Sequence, residues 1–139
     1  MSLKIKKILI LFILFLIPNV VFGNESLKSI GKFKDWETFT MIENENKVCF
    51  TQSIPILQAP KKTEREARLF VTFRSVDKIQ DEVSVTAGYV FNDKNKVTAK
   101  SGKNVLIFST VQENFAWFKE NKNEKKLIKV LKKGSRLMV

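Results

Sequence analysis

Two segments alternate apolar and polar side chains with a period of two, and that period limits most strongly what the chain can become. Ala67, Leu69, Val71 and Phe73 alternate with Arg68, Phe70, Thr72 and Arg74, and Val83, Val85, Ala87 and Tyr89 repeat the pattern against Ser84, Thr86 and Gly88. Alternation sends successive side chains to opposite faces, so both segments are expected to be strands at the centre of a sheet. Shorter strand candidates flank them at Asp35 to Met41, anchored by Trp36, and at Lys47 to Gln52, Lys96 to Lys100 and Asn104 to Thr110. Phe115 to Phe118 reads as a short aromatic strand or a helix entry. Polar clusters at Glu43 to Asn46, Asn92 to Asn95 and Ser101-Gly102 supply turns, and the prolines and charges of Ile54 to Glu66 supply a surface loop. Asn24 to Lys34 reads as a polar lead-in. Five or six short strands at this spacing predict a mainly β chain, a single small antiparallel sandwich or barrel-like domain.

One amphipathic helix is expected near the C-terminus, from Asn121 to Lys133. At 100° per residue, Leu127, Ile128, Val130 and Leu131 fall within roughly 160° of arc, and Lys125, Lys126, Lys129, Lys132 and Lys133 take the opposite arc. Asn121 and Glu124 have the spacing of a capping box, and Gly134 suits the left-handed position after the last turn. The lysines near the C-terminal end complement the helix dipole. Arg136 to Val139 then looks like the first half of another strand.

The N-terminus follows a different grammar. Lys4, Lys6 and Lys7 precede an unbroken apolar run from Ile8 to Ile17, which is too short to span a bilayer. Pro18-Asn19 breaks that run, and Val21-Phe22-Gly23 offers the residues a signal peptidase reads. Residues 1–23 are therefore expected to be a cleaved secretory signal peptide and residues 24–139 the exported domain. No cysteine follows the cleavage point to carry a lipid anchor, and no second apolar stretch reaches membrane length, so no transmembrane span is expected in the mature chain.

Without its three n-region lysines the chain has 22 basic and 14 acidic residues, a net charge of +8, of which +6 lies from Lys119 onward. A field of that sign attracts anionic surfaces such as phospholipid, lipopolysaccharide or an acidic protein. Export removes the protein from nucleic acid, so no nucleic-acid partner is expected.

The absence of histidine removes the side chain best suited to proton transfer near neutral pH. A Ser-His-Asp triad and a Cys-His pair are ruled out, and one cysteine without histidine rules out the usual zinc sites. The phosphate-cradling glycine motifs and the nucleophile elbow are missing as well. No catalytic, cofactor-binding or metal-binding residue is assigned. The alternatives weighed are a Ser-Lys dyad or a carboxylate pair assembled by folding, such as Asp81 with Glu113. Trp36, Trp117 and the phenylalanines are expected mostly to fill the core, the other use being a sugar or lipid cleft. Cys49 is the single cysteine of a chain bound for an oxidising compartment. It has a missing partner, an intermolecular bond or a buried, inert thiol. Its place between Val48 and Phe50 favours the third.

With these pieces in order, the chain resembles the invasion-associated locus B family of exported Gram-negative bacterial proteins. The resemblance runs through Asp35-Trp36, Lys47-Val48-Cys49-Phe50, Leu69 to Arg74, Glu82 to Val85, Ala87-Gly88-Tyr89, Ala116-Trp117 and Lys132-Lys133-Gly134-Ser135. It implies a β-rich domain that is periplasmic, outer-membrane-associated or secreted, with no established catalytic residues. Family members run on past the Lys-Gly-Ser segment, often to a cysteine near the end. The resemblance therefore implies a chain incomplete at its C-terminus and a disulfide from Cys49 to a residue beyond Val139.

Together these readings give a non-enzymatic cell-envelope protein in an interaction or host-surface role. Its expected partner is an anionic envelope component or another envelope protein, met through Lys125, Lys126, Lys129 and Lys133. The alternative is a small-ligand-binding or enzymatic periplasmic β domain with a cleft the sequence does not reveal. Mass spectrometry of the envelope fraction is expected to find a peptide beginning at Asn24. Recovery of the intact Met1 species alone, in the membrane, would refute the signal peptide.

Overall fold

The computed structural model describes residues 27–61, 65–92, 94–133 and 136–139. The expected signal peptide and the left-handed position expected at Gly134 both lie outside the described residues. Within them the chain is mainly β and sandwich-like, with no closed barrel. Nine strands are formed, more than the alternation alone marks: β1 (Lys28–Phe33), β2 (Trp36–Glu43), β3 (Asn46–Ser53), β4 (Arg68–Arg74), β5 (Ile79–Thr86), β6 (Val97–Ser101), β7 (Asn104–Phe108), β8 (Thr110–Gln112) and β9 (Phe115–Trp117). They are followed by one helix, α1 (Asn121–Lys132).

Seven strands make one antiparallel sheet in the order β1-β2-β3-β4-β5-β9-β8, and β6-β7 form a separate hairpin. The two alternating segments become β4 and β5 at the middle of the large sheet. β5 stops at Thr86, short of the Ala87 and Tyr89 that continue its pattern, because the chain turns through Gly88 at φ +75°. β2 and β3 are joined by Asn44-Glu45, both at positive φ, between the partners Glu43 and Asn46. That is the two-residue hairpin geometry whose twist matches the strands it joins.

The segment expected as a polar lead-in is instead the edge strand β1. Its pairing with β2 slips by one residue at Ile30, between Ser29 and Gly31. This bulge breaks the alternation that would have marked the strand. β1 is mostly exposed and carries Lys28 and Lys32, both features that blunt edge-to-edge association.

Leu69, Val71, Val83, Val85 and Ala116 lie on one face of the large sheet, where they form a single buried cluster with Val97, Ala99, Leu106 and Phe108 of the hairpin and Leu127 of α1. Val83 and Ala116 are 0% exposed and Leu127 is 1% exposed, so the centre of the sheet is sealed between layers. Phe108 stacks on Phe118 at 4.3 Å just where the chain leaves the hairpin for β8. The Ser109 hydroxyl, accepting from the Lys119 amide at 3.0 Å, holds that corner. Trp36, Phe91, Ile128, Leu131 and Leu137 close the rim of the cluster.

The aromatic residues correct the expectation that most of them fill this core. Of the described phenylalanines only Phe108 and Phe118 are buried in it. Phe39, Phe50, Phe70, Phe115 and Trp117 stand on the opposite face, as the pairings Phe39↔Phe50, Phe70↔Ser84 and Ser84↔Trp117 require. Their rings follow one another at 5.3, 6.1, 6.2 and 5.6 Å, a half-buried row crossing the sheet from β2 to β9.

The expected strand at Arg136 to Val139 is reduced to one antiparallel bridge. Met138 and Lys100 exchange backbone hydrogen bonds of 2.8 and 2.9 Å along β6.

Candidate functional site

The lysine-bearing helix is positioned by the way β9 ends. β9 pairs with β5 only at Ser84, Val85 and Thr86, so the part of β5 before Ser84 has no strand on that side. The start of α1 fills the gap. The Glu124 carboxylate accepts the Val83 amide at 3.2 Å, and the Asn121 side-chain amide donates both to the Gln80 carbonyl at 3.2 Å and to Glu124 Oε2 at 3.1 Å. A bulge precedes the junction. Thr72 pairs with Glu82 and Arg74 with Ile79, so Gln80 and Asp81, the latter at φ +62°, oppose Phe73 alone.

This arrangement overturns the expected capping box. Glu120 is the N-cap and its side chain makes no capping bond. Asn121 lies inside the first turn, and Glu124 is turned away from the helix N-terminus to satisfy a strand 41 residues earlier. Glu124 is 7% exposed. Burial raises its pKa above the usual carboxylate range, and the Glu82 and Asp81 charges push the same way against the opposing Val83 and Asn121 hydrogen bonds.

With Leu127 sealed and Ile128 and Leu131 against the core, the outer arc of α1 faces solvent. Lys125, Lys126, Lys129, Lys132 and Lys133 are all exposed, and among the described residues none of them has an acidic partner within ion-pair distance. Among the described residues the single ion pair on this segment is Lys122 with Glu120, at 2.6 Å. It raises the Lys122 pKa and lowers that of Glu120.

Cys49 lies on β3 as expected, but it is half-buried rather than sequestered. Its cross-strand neighbours are Thr40 and Phe73, and Phe73 is 40% exposed. The covering layer does not reach this end of the core face, so nothing seals the thiol. Asp81 and Glu113 are not brought together. Asp81 lies in the bulge before Glu82, whereas Glu113 lies in the turn beyond Gln112, where its backbone carbonyl accepts the Phe91 amide at 2.8 Å. β5 separates the two along most of its length. Among the described residues no three His, Cys, Asp or Glu side chains gather as a metal site would need, and no helix is long and apolar enough to cross a membrane.

The row of aromatics is the feature sequence reasoning misplaced. At its β9 end a shallow depression of about 430 Å³ is lined by Arg74, Glu82, Thr110, Gln112, Trp117 and Phe118. The Arg74 guanidinium donates to Glu82 at 2.8 Å across its floor. The alternation of Phe70 with Leu69 and Val71 was the available signal, since it puts an aromatic on the face opposite the core.

No family model, curated protein or solved structure matches the chain. The likeness to the invasion-associated locus B family rests on the residues quoted for it.

The Glu124 junction yields a pH dependence. The folded state holds the Glu124 proton more tightly than the unfolded chain does, so this group adds stability at low pH and loses it as the pH rises through the folded pKa. Urea midpoints should therefore rise for the wild type relative to Glu124→Gln as the pH falls from 7 toward about 4.5. Glu124→Ala should cost about 1–3 kcal/mol by leaving the Val83 amide unpaired. A wild-type-to-Gln difference that is flat with pH would show that the carboxyl is not desolvated.

Proposed function

We propose that this is an exported, non-enzymatic protein of the cell envelope that meets an anionic envelope partner through the basic face of α1. The observation that carries the reading is the set of exposed lysines, Lys125, Lys126, Lys129 and Lys133, without ion-pair partners among the described residues, on a helix whose other side is anchored by Leu127 and Glu124. A fixed helix presents its charges as one surface, so an anionic partner meets them without the entropy loss of ordering the backbone beneath them. The N-terminal lysines and apolar run support export. The resemblance to the invasion-associated locus B family supports a periplasmic, outer-membrane-associated or secreted address and a role at the host or cell surface.

The second reading, a small-ligand-binding or enzymatic periplasmic domain, draws on the aromatic row and the depression at its end. Stacked rings beside the Arg74–Glu82 pair and Gln112 are a combination that cyclic polar ligands use. It stands second because the depression lies open on the surface and encloses little.

The decisive test for the first reading is retention on immobilised lipopolysaccharide. Wild-type protein is expected to bind, with affinity falling steeply as salt is added. The Lys125→Glu/Lys126→Glu/Lys129→Glu/Lys133→Glu variant should lose retention while keeping its fold, because exposed charges contribute little to folding. Undiminished retention of that variant means the lysines are only a solvated surface.

A further inference from the structure

A second surface, separate from the lysine face, is formed by the loops at one end of the sheet. The pairings Phe33↔Trp36, Trp36↔Ser53, Ser53↔Leu69, Arg68↔Thr86, Thr86↔Phe115 and Phe115↔Gln112 place the ends of β1, β3, β5 and β8 beside the starts of β2, β4 and β9. The connections that follow Phe33, Ser53, Thr86 and Gln112 therefore all leave the sheet at the same end. The four most exposed large apolar side chains among the described residues are Ile56 at 87%, Leu57 at 77%, Val90 at 70% and Phe33 at 68%, and all four lie there. Ile54 and Tyr89 are exposed beside them. The remaining exposed apolar side chains are distributed along strands and the opposite end, which is ordinary for a protein surface.

These tips are braced, so their exposure is built into the fold. The Gln58 side-chain amide donates to the Arg65 carbonyl at 3.1 Å, and the Arg65 guanidinium donates back to the Ala59 carbonyl. The same guanidinium lies 5.2 Å from the centre of the Tyr89 ring, and Tyr89 meets Phe91 edge-on at 5.8 Å. Gly88 passes so close to the neighbouring loop that a Cβ there would stand 2.7 Å from the Glu66 backbone nitrogen. Pro55 restricts the backbone between Ile54 and Ile56. The loops thus support one another from behind and turn Ile56, Leu57 and Val90 outward.

We propose that this end of the molecule docks onto an anionic phospholipid surface, with Ile56, Leu57, Val90 and Phe33 entering the boundary between headgroups and acyl chains. Two features select a bilayer over a protein partner. The apolar groups are tips projecting from several loops at one end, a shape that a deformable interface accepts and a groove does not. Among the described residues, these connections and the flanking Lys32 carry six basic and three acidic side chains; Lys32, Lys34, Lys61, Lys94 and Lys96 are exposed at this end, as are Asp35, Glu66 and Glu113. Apolar side chains accompanied by an excess of cations combine burial at the acyl boundary with attraction to anionic headgroups.

The test uses the purified protein with phosphatidylcholine vesicles, with and without about one-third phosphatidylglycerol. Binding is expected only to the anionic vesicles. A Leu57→Trp variant should show a blue-shifted emission there that acyl-brominated lipid quenches beyond the wild-type change. The Ile56→Ser/Leu57→Ser variant should bind ~100-fold more weakly, since each buried aliphatic side chain is worth about tenfold. Its thermal unfolding should be unchanged, because both residues are exposed in the fold. Retention of the Trp quenching in a background carrying the four lysine-to-glutamate changes on α1 would separate this surface from the lysine face. Three results would each overturn the proposal: no acyl-chain quenching, undiminished binding of the double serine variant, or a wild-type dimer that the double serine variant abolishes. The last would make the tips a contact between copies of the chain.

Discussion

One carboxylate stands where a strand is missing. β9 is short, and at Val83 the central strand β5 has a backbone amide that no strand meets. An unpaired amide beside a fully buried valine would cost about 1–3 kcal/mol. Glu124 supplies the acceptor, and in doing so fixes the rotation of α1 about its axis. Leu127, one turn on, is then directed into the cluster with Val83, and the lysines are directed outward. Placing a carboxylate at 7% exposure is itself unfavourable, which is why its proton is held more tightly than usual. The two hydrogen-bond donors and the apolar contact of the helix offset that burden.

The limits of the sequence follow from the same junction. The spacing of Asn121 and Glu124 is the local grammar of a capping box, and nothing within the helix distinguishes that from a carboxylate reaching 41 residues back. The helix itself was legible because its apolar arc is a local property. So were β4 and β5, whose alternation is uninterrupted. β1 escaped notice because the bulge at Ile30 shifts the period by one residue, and a period is all that a short edge strand offers. The aromatics were misplaced for a different reason. Alternation divides a strand into two faces, but it does not say which of them a distant hairpin and helix will cover. Leu69 and Val71 took the covered face, and Phe70 and its neighbours were left to stack on one another across the other.

The uneven cover of the large sheet also explains its partly exposed features. The hairpin and helix lie over β4, β5 and β9, so Cys49 on β3, beside Phe73, is left half-buried in a chain with no second cysteine. The same economy concentrates the polar chemistry at the periphery. Basic residues are collected on α1, while the described interior holds Glu124 as its single buried ionisable side chain.

The central claim is that Glu124 completes the hydrogen bonding of β5 and thereby orients the lysine face. Amide hydrogen exchange at Val83, followed residue by residue by NMR, tests it most directly. The account predicts strong protection of the Val83 amide in the wild type and loss of that protection in Glu124→Ala, with the Leu69 and Val71 amides of β4 still protected in both. A Val83 amide that exchanges in the wild type as fast as one in an unstructured peptide would contradict it.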